Sequence, residues 1–60
     1  MTMKQLTEWV RIQIKTHPDL ASEILDYYGL CVDEMEEGGS EQHEIDLCIN
    51  SIEQLIEERV

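Results

Sequence analysis

Sixty residues set the scale of this chain: one domain, with room for two or three helices around a single small core. Fourteen acidic residues against four basic ones give a net charge of −10, and the sequence pI is near 4.2. Like charge therefore argues against naked nucleic acid or an anionic membrane as a direct partner and favours a basic protein. The charge is unevenly placed. Lys4, Arg11 and Lys15 face only Glu8 among the first 17 residues, and every other carboxylate lies beyond them against Arg59 alone. The two cysteines, Cys31 and Cys48, form no dense spacing pattern, and no signal-peptide core or long apolar span is visible. These features predict a reduced, cytoplasmic protein.

The first element opens with Thr2 and Gln5, which have the spacing of a capping box. Met3, Leu6, Val10 and Ile14 then recur at helical spacing, predicting a helix over 2–16. Trp9 and Ile12 lie off that stripe, and Lys4, Glu8, Arg11 and Lys15 form a third, charged one. This helix thus carries more apolar surface than one core face needs. Either Trp9 and Ile12 wrap onto a neighbouring helix of the same chain, or they anchor a second subunit or another protein.

Pro18 interrupts the pattern, because it lacks an amide and disfavours the α conformation at His17, yet it suits a first helical position. A second helix is predicted over 18–28, with Leu20, Ala21, Ile24, Leu25 and Tyr28 as its apolar face and Gly29 as a left-handed stop. A kinked continuation of the first helix into the second is the alternative. Residues 32–37 are predicted as a short helical turn ended by Gly38 and Gly39.

The longest regular pattern is the third. On a wheel of about 100° per residue, Ile45, Cys48, Ile49, Ile52, Leu55 and Ile56 share one face, opposite Asp46, Asn50, Glu53 and Glu57. A helix over 40–58 follows, with Ser40 as its cap, Glu41 and Glu44 near the positive end of its dipole, and only Arg59 offsetting Glu57 and Glu58 at the other end. A lone helix of this length is marginal in water, so its isoleucine stripe must be covered by the rest of the chain or by a second copy. The predicted fold is all-α, a small helical hairpin or three-helix bundle forming a single domain over 1–60 and completed by dimerisation.

Three constellations could carry chemistry. Asp33 to Glu44 has the length of a calcium loop, with Asp33, Glu37, Gly38 and Glu44 at suitable positions, but Met35 replaces the third oxygen ligand and Ser40 stands where an apolar residue is usual. His17, Cys31, His43 and Cys48 have the residue types for zinc without the short paired spacings that zinc sites use. A cysteine and a histidine could form a nucleophile pair, yet no third orienting group or oxyanion motif accompanies them. The sequence therefore predicts no enzyme, no cofactor and no metal site.

Two resemblances add to this. The run from Ile24 to Met35, with Gly29 between two apolar stretches, resembles the helix-turn-helix segment of phage-repressor-type DNA-binding domains. A recognition helix of that kind would present Asp33, Glu34, Glu36 and Glu37 to DNA, so the resemblance implies turn geometry and not DNA binding. Taken whole, the chain resembles the short acidic helical accessory proteins of the early exo-xis region of lambdoid bacteriophages. The residues that carry this are Leu6-Thr7-Glu8-Trp9-Val10-Arg11-Ile12-Gln13-Ile14 and His17-Pro18-Asp19-Leu20-Ala21. It implies a modulator of phage development or host physiology in the host cytoplasm, acting through protein contacts.

The functional expectation is a non-enzymatic helical interaction module, a homodimer that binds a protein partner through Trp9, Ile12, Ile45, Ile49, Ile52, Leu55 and Ile56. The alternative is an acidic nucleic-acid mimic whose carboxylates, between residues 33 and 58, occupy the basic groove of a DNA-binding protein.

Overall fold

A computed structural model describes residues 1–59 and shows an all-α fold. Its elements are α1 (Met3–Thr16), a 3-10 turn over Pro18–Leu20, α2 (Ala21–Glu36) and α3 (Glu41–Arg59).

The start of α1 follows the sequence closely. The Gln5 amide donates to Thr2 Oγ1 at 3.2 Å and the Thr2 amide donates to Gln5 Oε1 at 2.8 Å, so the capping box is complete. Its end is set by the pair His17-Pro18: His17 leaves the helical region at φ −128°, ψ 69°, and the Leu20 amide donates to the His17 carbonyl at 3.0 Å. The break is therefore a tight 3-10 turn, and α1 and α2 are separate helices, not one kinked rod.

α2 differs from expectation. It does not stop at Gly29 but runs on to Glu36, absorbing the segment predicted as a separate turn. The local signal lost to packing. A glycine inside a helix costs about 1 kcal/mol, whereas an uninterrupted helix keeps Ile24 and Cys31, seven residues apart, buried on one stripe. With no turn between Ile24 and Met35, the likeness to a helix-turn-helix segment has no counterpart in the structure.

The actual stop is the glycine pair. Gly38 has φ 97°, and among the described residues it alone has a positive φ. The Gly38 amide donates to Met35 O at 3.1 Å and the Gly39 amide to Glu34 O at 3.0 Å, which is the Schellman pattern of helix termination. Gly39 is needed for room: a Cβ there would lie 2.9 Å from the Glu34 carbonyl oxygen and 3.2 Å from Glu44 Cγ. This turn also removes the calcium loop, because Asp33 to Glu36 lie in α2 and Glu41 to Glu44 lie in α3, leaving only residues 37–40 between helices.

The reversal lays α3 back along α2, and α1 packs against both. Leu6 and Val10 of α1, Leu20, Ile24 and Cys31, and Ile45, Cys48, Ile52 and Leu55 of α3 form the buried core. Tyr28 ties α2 to α1. The Thr7 hydroxyl gives its single proton to the Met3 carbonyl at 2.9 Å, so in the 2.7 Å contact with Tyr28 the phenol is the donor. At the far end Arg59 reaches Glu23 at 3.4 Å, an exposed pair that contributes little to stability.

The core takes up part of the expected contact surface. Ile45, Ile52 and Leu55, expected to meet a partner, are covered by this chain's own α1 and α2. Ile45, Cys48, Ile52 and Leu55 of that stripe are thus covered within a single chain, whereas Ile49 and Ile56 stay partly exposed.

The two turn assignments can be checked by substitution. Gly29 has open space around a notional Cβ, so Gly29→Ala is expected to stabilise by about 0.5–1 kcal/mol. Gly38→Ala is expected to destabilise by about 1–2 kcal/mol through its left-handed φ. Urea denaturation followed by circular dichroism measures both; a stabilised Gly38→Ala or a destabilised Gly29→Ala would reverse the account of where α2 ends.

Candidate functional site

Two grooves flank α3, one on each side, and few of the expected site residues line them. The first lies between α1 and α3 and is lined by Trp9, Gln13, His17, Glu53, Ile56 and Glu57. Trp9 and Ile56 are only partly exposed and pack on the core, as does Ile49. Ile12 is apart from this groove, 57% exposed. The structure therefore brings Trp9 and Ile56 together, puts Ile45, Ile52 and Leu55 in the core, and leaves Ile12 outward by itself.

The second groove runs between α2 and α3, and its residues were absent from the sequence expectation. Tyr27, Leu30 and Cys31 come from α2, at spacings of three and four that place them on one side of the helix. Leu47, Cys48 and Ser51 come from α3 in the same rhythm. Glu34 and Glu44 close the end nearest the glycine turn. Cys31 and Cys48 are buried at the floor, whereas Leu30 is 60% exposed and Leu47 is 48% exposed on the walls. Tyr27 and Ser51 also border an adjoining hollow lined by Gln54, Leu55 and Glu58. Tyr28 turns inward to Thr7 while its neighbour Tyr27 lines the open seam, so adjacent tyrosines serve opposite sides of α2.

This seam was legible as far as its periodicity went. Tyr27, Leu30 and Glu34 on one helix, with Glu44, Leu47 and Ser51 on the other, repeat at helical spacing, but only the rotation of each helix decides that these positions stay uncovered.

The two thiols interact at the seam's floor. Burial is the main cause that raises the Cys31 thiol above its ordinary value, followed by the nearby Glu44 carboxylate. Cys48 is pushed up to about 11, again chiefly by burial and then by Cys31 beside it. Both are neutral thiols at physiological pH, the opposite of an activated nucleophile. The four residues considered for zinc are dispersed: Cys31 and Cys48 lie in the seam, His17 lines the other groove, and His43 is exposed near the start of α3. Among the described residues no group of three or more His, Cys, Asp and Glu side chains is placed to hold a metal ion. Among the described residues no helix is long and apolar enough to cross a membrane.

No protein-family model matches the chain, and no curated protein or solved structure is significantly similar to it.

The raised thiols have a consequence for stability. An acid whose folded-state value is raised binds its proton more tightly in the native state, so stability is full below the ordinary thiol value near 9 and falls as pH rises towards about 11. The urea midpoint of the native chain is expected to drop across that window, and Cys48→Ala is expected to flatten part of the drop. An identical pH dependence in the two proteins would show that Cys48 does not titrate as its burial requires.

Proposed function

We propose that this chain is a non-enzymatic helical protein-interaction module whose contact surface is the seam between α2 and α3. The observation that carries this reading is the exposure of Leu30 and Leu47 side by side over a buried floor, in a protein with strong charge elsewhere. Apolar walls around a shallow groove are what a partner side chain fills, and they cost free energy while they face water. The lambdoid early-region resemblance supports the further step that the module modulates phage or host proteins in the host cytoplasm.

A second reading, nucleic-acid mimicry, draws support from exposed Asp33, Glu36, Glu37 and Glu41, which crowd around the glycine turn. It is the weaker of the two, since those carboxylates have no aromatic or bidentate anchor among them and a solvated acidic surface serves solubility without a partner.

The two readings separate by mutation. Leu30→Asp with Leu47→Asp alters walls that are already solvent-exposed, so the helical circular dichroism signal is expected to persist. Capture of partner protein from host cytosol by the immobilised chain is expected to fall at least about tenfold, the effect of losing a central apolar contact. Glu36→Lys with Glu37→Lys, among the carboxylates at the glycine turn, is expected to leave capture intact. Loss of capture in the second variant and not the first would establish the mimic.

A further inference from the structure

The seam's chemistry narrows what can occupy it. α1 packs against both α2 and α3, and its Leu6 and Val10 share the buried core with Ile24, Ile45 and Ile52. The other side of the α2/α3 pair has the same two helices, the same spacing of apolar residues and, among the described residues, no third helix. Its charge is one-sided as well. Glu34 and Glu44 stand at one end of the groove and Glu58 in the hollow adjoining it, and no Lys or Arg contributes to the lining of either. From Glu44 to Glu58 the groove and the hollow adjoining it follow 15 residues of α3, 14 rises of 1.5 Å or about 21 Å.

Resting on the reading of the seam as the contact surface, we propose that its occupant is a basic amphipathic helix of another protein. It lies along the seam opposite α1, with its apolar stripe over Tyr27, Leu30 and Leu47 and its Lys or Arg residues over Glu34, Glu44 and Glu58. Such a helix completes for the outer side of α2 and α3 what α1 does for the inner side, and a length of about 15 residues spans the groove. A second copy of this chain is the poorer fit, because each copy carries −10. Its Lys4, Arg11 and Lys15 lie on α1 and not at the seam. The charged rim supplies selection among partners and speeds encounter, while the leucine walls supply most of the affinity.

The test uses three synthetic peptides of 15 residues against the full chain, read by amide NMR shifts. One has leucines at i, i+3, i+4 and i+7 flanked by lysines; the second keeps the leucines but replaces lysine with glutamate; the third is a scramble of the first. The basic amphipathic peptide is expected to move the amides of Tyr27, Leu30, Leu47 and Ser51 saturably, with an affinity that falls as salt rises. Glu34→Gln with Glu44→Gln is expected to weaken it about fivefold, the effect of removing two exposed ion pairs.

Equal binding of the first two peptides would overturn the basic partner while leaving the seam as a contact surface. Equal binding of the first and the scramble, with shifts spread over the acidic turn, would overturn the helix-in-groove mode in favour of diffuse charge attraction. Concentration-dependent shifts at the same amides without peptide, accompanied by a doubled mass in sedimentation, would assign the seam to a second copy and overturn this proposal. If no peptide moves the seam and the Leu30→Asp, Leu47→Asp protein also captures cytosolic partner undiminished, the interaction surface itself is wrongly placed.

Discussion

Ile45 and Ile52 stand two turns apart on α3, and both are sealed completely from solvent. Nothing on α3 itself can do this. They share one buried cluster with Leu6 and Val10 from α1 and Ile24 from α2, so the core that hides them is built by all three helices. In a domain this small the native state is marginal, and truncating such a residue removes a large part of the available stability. The polar features then adjust to that core. The Thr7 and Tyr28 hydroxyls meet where α1 crosses α2, and the glycine turn returns the chain at the distance the isoleucines need.

The same constraint explains the exposed seam. Helix α3 has apolar residues on more of its circumference than α1 and α2 together enclose, and so does α2. Once rotation is fixed by Ile24, Ile45 and Ile52, Leu30 and Leu47 are carried to the outside with Cys31 and Cys48 beneath them. Exposure here is therefore a result of how the core is satisfied, and it places apolar side chains next to each other on two different helices. That arrangement distinguishes them from Ile12, which is equally exposed but lines neither groove described beside it.

Much of the fold was readable because its signals were strong and local. The α3 stripe, the Thr2 and Gln5 cap and the Gly38-Gly39 reversal each depend on residues within a few positions of one another, and each holds in the structure for α3, the cap and the reversal alike. Gly29 misled because a glycine reports only what the backbone is permitted to do, whereas the buried stripe from Ile24 to Cys31 decides what it does. The candidate contact residues were harder still. Periodicity shows that Ile45, Ile52, Leu30 and Leu47 belong to helical faces; it does not show which face another helix of the same chain will cover. Trp9 drew attention by its size, yet it spends much of its surface on the core, and the smaller Leu30 is left in the open.

Consecutive helices in this molecule are joined by very short connections: His17 and a single 3-10 turn in one case, residues 37–40 in the other. Bringing α2 onto α3 thus requires closing only a small loop, and α1 has little further to travel. Chains assembled from such near-neighbour encounters order themselves in microseconds to milliseconds, since the entropy of distant closure is never demanded of them. The glycine pair that reverses the chain is in that sense also a kinetic device: it sets how soon after synthesis the acidic polypeptide ceases to be an open coil.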